Sequence, residues 1–288
     1  MAFVNSQIPG WRYYDHAAIP SIAPHKQPDL TPIKEGSIWH IEGKHPILAR
    51  YTTEWDCGYD TGWWYIIKDT KFDITTLKKK RRYEITKSLR FFEVKEIYPL
   101  EYASALANVN ILAYSAYPKK YRPNFNEASF IKTLEKWNNR VKDGSVKVFG
   151  AFYRETGKLC GYNYISIMDD YCSLAIQKTI PDFEKYNVNA GLIFAVLKSL
   201  QDKLSKGYYI CDGARNINHE TCFQDYLEKY FEFRKCFCKL KIQYSLSSQI
   251  MMNFLFPFRR LIALLGRYIG FFHLVSGVLK MDEIARKS

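Results

Sequence analysis

The sequence predicts an α/β (α+β) protein with a mixed sheet flanked by helices. This prediction is based mainly on a meander of three strands that is followed by a helix. Three consecutive apolar runs separated by turn signals indicate strands at 146–153, 159–168 and 171–180. After Pro181 the apolar residues recur at helical spacing over 190–204, and a short apolar strand follows at 208–211. With 47% hydrophobic residues in a chain of 288, there is material for a sizeable core.

Elements on both sides of the meander complete a regular order. They are predicted to be a strand at 91–97, helices at 99–117 and 126–141, a helix at about 218–231 and a strand at 234–244. From residue 91 the order is therefore β-α-α-β-β-β-α-β-α-β, which suits a mixed sheet with helices packed on it.

The N-terminal part is expected to be less regular. Residues 1–36 combine prolines with scattered aromatic residues, which favours a strap lying over a surface and not regular elements. Two β-rich runs at 47–55 and 63–67 predict a hairpin. The run 73–89 predicts a helix with one narrow apolar stripe and a strongly basic remainder, which is either a solvated face or a binding patch.

The charge of the chain favours anionic partners. Lys and Arg number 42 against 29 Asp and Glu, a formal net charge of +13. Phosphorylated cofactors, tRNA and acidic lipid headgroups all fit this excess. Seven cysteines without a C-x-x-C pair are expected to be buried thiols in a reducing compartment, and residues 1–16 lack the apolar core of a secretory signal. A cytoplasmic protein is therefore expected.

Several function classes lack their sequence motifs. The chain has no G-x-S-x-G serine, no P-loop, no dinucleotide fingerprint and no His, Cys or carboxylate spacing suited to a metal. These absences argue against a hydrolase, a kinase and a metalloenzyme, and no metal cofactor is expected.

The element order resembles that of the GNAT superfamily of acyltransferases. In its sequence motifs the chain is most similar to Fem-type peptidyltransferases and related proteins of bacterial polysaccharide loci. One similar stretch is the helix followed by glycine and an apolar strand ending in Asp-Gly, here at 207–213. The other is a basic helix reading roughly L-x-x-K-x-R-x-x-I-x-K, matched by Leu77, Lys80, Arg82, Ile85 and Lys87. The resemblance covers about half of the chain.

The resemblance implies three segments: an N-terminal strap with a truncated GNAT-like unit at 1–97, a GNAT-like acyltransferase domain at 98–246, and an amphipathic helical arm at 247–288, here called the C-terminal arm. It also implies an acyl-coenzyme A donor, acetyl-coenzyme A included, and transfer to an amine or hydroxyl of a cell-envelope, polysaccharide or lipid precursor. Two alternatives stay open: an aminoacyl-tRNA-dependent transferase of the Fem type, and a non-catalytic membrane or RNA adaptor with the same fold.

The predicted donor site is the start of the helix after the meander, since free amides at a helix N-terminus bind phosphate. The residues assigned to it are Lys185, Asn187, Val188, Asn189, Ala190 and Gly191. In GNAT enzymes this loop usually reads Q/R-x-x-G-x-G/A. Here Lys185 stands for the basic residue and Val188 replaces the first glycine. In the alternative, Asn187 or Asn189 simply caps a core helix.

The predicted catalytic loop follows the strand at 208–211. His219 is the proposed base, because its unperturbed pKa lies near neutrality, and Asp212 or Glu220 would orient it. Arg215 is assigned to a carboxylate or phosphate of the substrate. Alternatively, Asn218 and Glu220 begin the next helix and leave His219 exposed, while Arg215 pairs with Asp212.

Two further assignments lie outside this loop. Tyr226 is placed as a general acid toward the departing thiolate, a role that GNAT enzymes give to a tyrosine of their last helix; the alternative is that Tyr226 and Tyr230 belong to the core. Tyr121 and Arg122, in the short basic joint between the helices at 99–117 and 126–141, are assigned to substrate binding.

The C-terminal arm is strongly apolar but cannot form a simple membrane span. Arg259, Arg260 and Arg267 interrupt every apolar window of the length a spanning helix needs. A pair of interfacial helices fits this pattern, with the apolar face among headgroups and the arginines toward anionic lipid. We therefore expect peripheral contact with the inner face of an anionic membrane; the alternative is packing against the domain or a second subunit.

Overall fold

The computed structural model describes residues 8–119, 122–204, 206–217 and 222–287. Contacts divide the chain into two units. Unit 1 contains the residues up to Ile66, the stretch Ala214–Phe223 and the residues from Lys235 onward. Unit 2 contains Ile67–Gly213 and Gln224–Arg234. The three-segment division at residues 97 and 246 stays a prediction.

Strands and helices are distributed along the whole described chain. The strands are β1 (Trp11–Tyr14), β2 (Ala17–Pro20), β3 (Leu48–Thr53), β4 (Trp64–Lys68), β5 (Phe92–Glu96), β6 (Val146–Tyr153), β7 (Leu159–Ile167), β8 (Tyr171–Thr179), β9 (Tyr209–Ala214), β10 (Arg234–Phe237) and β11 (Lys239–Tyr244). The helices are α1 (Thr31–Lys34), α2 (Lys79–Phe91), α3 (Ala103–Ser115), α4 (Glu127–Lys142), α5 (Val188–Ser199), α6 (Gln201–Leu204), α7 (Phe223–Phe231), α8 (Leu246–Leu255), α9 (Arg259–Leu265) and α10 (Gly270–Lys287).

A seven-stranded mixed sheet has the strand order β10-β4-β9-β8-β7-β6-β5. Within unit 2, β5 to β8 pair in antiparallel fashion and β9 joins β8 in parallel. Neighbouring β7 side chains point to opposite faces: Tyr162 donates to Asn110 of α3 at 3.1 Å, and Asn163 donates to the Leu192 carbonyl of α5 at 3.3 Å. The meander and the fold class, a mixed sheet flanked by helices, are confirmed.

Aromatic packing fixes α4 on the sheet. The helix begins where the Asn126 side chain accepts the Ser129 N–H at 2.8 Å. Its apolar face buries Leu134 and Trp137, and the Trp137 ring centroid lies 4.4 Å from that of Tyr164 on β7. Burying a large apolar side chain contributes about 1.5–3 kcal/mol, so these contacts hold α4 in place.

In unit 2, α2 lies against α5 at a glycine. Gly191, in the first turn of α5, faces Ser88 of α2, and a Cβ atom at this glycine would overlap the Ser88 Oγ atom. Ser88 is fully buried, and its Oγ has no hydrogen-bond partner among the described residues. Lys87 adds an anchor, since its Nζ donates to the Lys185 carbonyl at 2.8 Å. The basic helix is therefore fixed beside the start of α5.

Two predicted helices have different bounds in the structure. The helix predicted at 73–89 begins only at Lys79, because the Asp73 carboxylate accepts the Thr75 N–H at 2.8 Å and forms a local turn instead. The helix predicted at 190–204 begins earlier, at Val188, and is interrupted at Leu200, between α5 and α6.

The predicted hairpin at 47–55 and 63–67 is wrong. β3 pairs with β11 in antiparallel fashion and with β2 in parallel, in a four-stranded sheet, whereas β4 belongs to the seven-stranded sheet. After β3, Glu54 and Asp56 have positive φ angles of 52° and 56°. These residues turn the chain away from β3, so that it does not fold back to pair with this strand. The single strand predicted at 234–244 is also wrong, because the chain changes sheets at Cys238, between β10 and β11.

The irregular strap predicted at 1–36 is wrong for its described part. β1 and β2 form an antiparallel hairpin, and Asp15 and His16, with φ angles of 45° and 63°, make its two-residue turn. Trp11 is fully buried and donates its Nε1–H to the Asp29 carbonyl at 2.8 Å. The prediction failed because the turn has no glycine, which is the usual signal of such a hairpin.

The C-terminal arm is helical, as predicted, and consists of α8, α9 and α10. In unit 1, Met252, Ile262 and Leu279 from these three helices are buried in one small cluster. The turn between α9 and α10 depends on Gly266, where a Cβ atom would lie 3.0 Å from the Phe272 carbonyl oxygen. Among the described residues, no helix has both the length and the apolar character needed to cross a membrane.

Candidate active site

The start of α5, the predicted donor site, follows directly on a 3-10 turn at Pro181–Tyr186. Asn187 joins the two in the left-handed region, with φ 62° and ψ 37°, and its side chain makes no capping hydrogen bond. Its carbonyl accepts the Ala190 N–H at 2.9 Å. The first amides of a helix have no intrahelical acceptor. The amides of Val188 and Asn189 are therefore the ones that an anionic group would meet here.

The other residues assigned to the donor site have different surroundings. Val188 and Ala190 are buried, and Gly191 faces α2. Lys185 is exposed, and its Nζ lies 5.1 Å from the centroid of the Tyr186 ring. A cation at this position adds positive charge to the helix start. The donor-binding role of these residues stays a prediction.

Asn189 ties the start of α5 to β8. Its Oδ1 accepts from Gln177 Nε2 at 2.7 Å and from Thr179 Oγ1 at 3.5 Å. Gln177 has Asn163 as its partner on β7. Asn163 Oδ1 and Gln177 Oε1 are buried without a hydrogen-bond partner in the described part of the chain, and each such acceptor costs about 1–3 kcal/mol. The first turn of α5 therefore covers a polar patch whose two acceptors are available to an N–H or O–H group.

β8 and β9 pair only at their beginnings. The parallel ladder covers Tyr171–Ser173, although β8 continues to Thr179. The register between β7 and β8 shifts between Tyr164 and Ile165, which leaves Ala175 as a bulged extra residue. Beyond the ladder, the edge of β8 that faces away from β7 presents backbone groups of the kind that an extended ligand pairs with.

Asp212 lies directly beyond the last pair of this ladder, Ser173 with Cys211. Burial raises the pKa of Asp212 to about 7, against the lowering effect of its hydrogen bond with Gln224 of α7. A carboxyl that titrates near neutrality can accept a proton from an attacking group and release it again.

Tyr226 belongs to a cluster that α7 forms with the basic helix. The rings of Tyr226 and Tyr230 lie 4.7 Å apart between centroids, and the Arg81 guanidinium lies 3.5 Å from the centroid of the Tyr230 ring. Arg81 also pairs with Glu84 at 3.4 Å. Burial is the main cause that raises the pKa of Tyr226, and the Glu84 charge raises it further. Tyr226 therefore keeps its proton at neutral pH, as a general acid must.

Three predicted site residues, His219, Glu220 and Tyr121, lie outside the described residues, and their roles stay predictions. Arg215 belongs to unit 1. Its backbone N–H donates to the Trp64 carbonyl at 2.8 Å, and its Nη1 donates to the Gly62 carbonyl at 2.5 Å.

Arg122 supports the end of α3. Its Nη2 donates to the carbonyls of Ser115 at 2.6 Å and Tyr117 at 3.3 Å. A guanidinium that binds the last carbonyls of a helix satisfies groups that have no intrahelical partner. The substrate-binding role assigned to Arg122 stays a prediction.

Four polar residues that lie beside predicted site residues were not expected from the sequence; they are Asn163, Gln177, Gln224 and Arg81. A signal was present for Asn163, because it is an amide inside a largely apolar strand run, where buried polar groups are uncommon. Gln177 gives a weaker signal, since Lys178 and Thr179 follow it in the same strand. Gln224 and Arg81 give no comparable signal, since both occur in amphipathic helices where polar residues are expected.

Among the described residues, no group of three or more His, Cys, Asp or Glu side chains converges as a metal site would require. No family model matches the chain, and no curated protein matches it in sequence.

Solved structures share the fold at low sequence identity. A conserved protein of unknown function from Bacteroides thetaiotaomicron is 11% identical, with 78% of each chain covered and a TM-score of 0.50. The L-PGS structure from Bacillus licheniformis is 16% identical over 84% of this chain and 82% of that one, with a TM-score of 0.49. The PaiA N-acetyltransferase from Thermoplasma acidophilum, in complex with coenzyme A, is 18% identical over 39% of this chain and 73% of that one, with a TM-score of 0.31. At 11% identity, the likeness to the Bacteroides thetaiotaomicron protein concerns the fold alone.

Proposed function

We propose that the chain is a GNAT-type acyltransferase that moves an acyl group from acyl-coenzyme A to an amine or hydroxyl of a cell-envelope, polysaccharide or lipid precursor. One observation carries the proposal: β8 and β9 separate after Ser173, and Asp212 lies at the point of separation. An extended carrier rich in amides can pair with the free edge of β8. Its phosphates would then meet the start of α5.

The proposed reaction needs one base and one acid. Asp212 accepts the proton of the acceptor amine or hydroxyl as its nitrogen or oxygen attacks the thioester carbonyl. The tetrahedral intermediate collapses, the carbon–sulfur bond breaks, and Tyr226 protonates the departing thiolate. The raised pKa of Asp212, about 7, suits a general base. The raised pKa of Tyr226 keeps the phenol protonated but makes it a weaker proton donor toward the thiolate.

Charge reversal just before the start of α5 and, as a control, in its last turn tests the donor site. Lys185→Glu is expected to weaken acetyl-coenzyme A binding roughly tenfold or more, an effect of about 1.4 kcal/mol, because it places a negative charge where the phosphates would lie. Lys198→Glu makes the same change in the last turn of α5, where Lys198 is exposed, and should leave affinity unchanged. Calorimetric titration measures both. Equal affinity in the two variants would argue against a donor site at this helix start.

An aminoacyl-tRNA donor is the second candidate, and the surface of α2 favours it. Basic side chains stay exposed along this helix and at its start; they are Lys78, Lys79, Lys80, Arg82 and Arg90. Polyanion binding through such a surface weakens steeply with salt. Titration with charged tRNA at two salt concentrations separates the candidates. A strongly salt-dependent affinity for tRNA, without any effect of acetyl-coenzyme A, would favour the tRNA donor.

A further inference from the structure

The C-terminal arm exposes far more apolar surface than its packing requires. Its inward residues, Met252, Ile262 and Leu279, are already buried in one cluster. The large apolar side chains on its outer surface are at least 47% exposed; they are Leu246, Ile250, Met251, Phe254, Phe258, Leu261, Leu264, Tyr268, Ile269, Phe271 and Leu274. Exposed apolar surface on this scale marks an interaction site.

The charge of the arm identifies the kind of partner. No Asp or Glu occurs between residues 233 and 281 of the sequence. Over α8, α9 and the first part of α10, the exposed cations are Arg260, Arg267 and Lys280. Arg259 is less exposed than these three cations. Its Nε lies 3.8 Å from a carboxylate oxygen of Glu283, and its guanidinium lies 4.5 Å from the centroid of the Phe256 ring. The outer surface is therefore largely apolar, and its exposed charged side chains up to Lys280 are all cationic.

We propose that this outer surface binds an anionic phospholipid membrane and lies in its interfacial region. Apolar side chains bury among the acyl chains while arginine and lysine stay at the charged headgroups. A second copy of this chain is a poorer partner, because a symmetric interface would bring Arg260 and Arg267 of both copies onto one surface without a carboxylate to neutralise them. The proposal does not depend on the reaction proposed above, since vesicle binding needs no substrate.

Sedimentation of the full chain with vesicles tests the proposal. Binding to vesicles of phosphatidylcholine with phosphatidylglycerol is expected to exceed binding to phosphatidylcholine alone by on the order of a hundredfold, since each of three exposed cations strengthens it about fivefold. Added salt should weaken the binding. Inorganic phosphate at millimolar concentration should not displace the protein, which separates a lipid surface from a free phosphate site.

Two pairs of variants locate the contact. Phe254→Asp with Phe271→Asp should abolish vesicle binding, whereas Tyr83→Asp with Ile111→Asp, at exposed apolar side chains of unit 2, should leave it intact. Arg260→Glu with Arg267→Glu should remove the preference for anionic vesicles, whereas Lys79→Glu with Lys80→Glu on α2 makes the same charge change and should not.

Two results would overturn the proposal. One is a wild-type chain that stays in the supernatant with anionic vesicles. The other is a dimer in solution that the Phe254→Asp and Phe271→Asp changes convert to monomer, because the outer surface would then be an interface between copies. Since all substituted side chains are exposed, circular dichroism should show an unchanged fold in each variant.

Discussion

Gly191→Ala is expected to lower the free energy of unfolding by about 1–3 kcal/mol, although alanine is the better helix former. The added methyl group would overlap Ser88 Oγ, which α2 presents to the first turn of α5. The two helices would then have to separate at this crossing. Urea unfolding at neutral pH measures the effect.

Ser88→Ala supplies the matched control, because it removes the atom that the new methyl group meets. Alone, it should be neutral or stabilising, since Ser88 Oγ is buried and unpaired. In the double variant, the alanine at 191 would lie 3.4 Å from the Cβ at 88 and from Val94 Cγ2, an ordinary contact. The double variant should therefore recover at least the wild-type stability. Additive effects of the two changes would show that the helices do not meet there.

The contact between α2 and α5 shows which features could be predicted from the sequence and which could not. The helix after the meander was predicted from the period of its apolar residues, and its position in the order suggested a phosphate site that includes Gly191. Periodicity does not show that Gly191 meets Ser88, because that contact joins helices from distant parts of the chain. Gly191 therefore has a packing role that the sequence pattern does not indicate. This role is independent of any ligand at the neighbouring amides.

Errors in the strands have a similar cause. Local apolar runs and turn signals correctly predicted β6, β7 and β8, whose partners are neighbours in sequence. They failed for β3, whose antiparallel partner is β11, and for the run 234–244, which divides between two sheets. Pairing between distant segments depends on packing that no local pattern contains.

At the candidate site, Asp212 was predicted because it follows the strand expected at 208–211, where ligand-binding loops of open sheets occur. In the structure the strand extends to Ala214, so Asp212 lies inside β9 and not in a loop. Gln224, whose side chain forms a hydrogen bond with Asp212, was not predicted, because it belongs to a different element, α7. His219 was predicted to have the leading role and Asp212 a supporting one. The raised pKa of Asp212 makes it a base candidate in its own right, and His219 lies outside the described residues.

Asp212→Asn is expected to reduce acyl transfer by roughly 10²–10⁴-fold, because it removes the proposed base and leaves a group of the same shape beside Gln224. Wild-type activity should rise with pH to a plateau above the Asp212 pKa of about 7. Thiol release from acetyl-coenzyme A, measured with a panel of amino sugars as acceptors, reports both effects. Asp225→Asn changes an exposed carboxyl of the same helix that carries Gln224 and should leave transfer unchanged.

The stability of the same variants reports on Asp212 independently of any substrate. The folded-state pKa of about 7 lies above the unfolded value of about 3.9, so between these values the folded protein holds a proton that the unfolded chain has lost. This contribution to stability is complete below about pH 4 and is lost as pH rises through 7, at up to about 1.4 kcal/mol per pH unit. Asp212→Asn should remove that slope from unfolding measured between pH 4.5 and 8, and Asp225→Asn should keep it. A variant that loses the slope but keeps its transfer rate would show that Asp212 is a buried acid and not the base. An Asp212→Asn variant that loses the slope and the transfer activity but still binds vesicles would favour an enzyme over a membrane adaptor with the same fold.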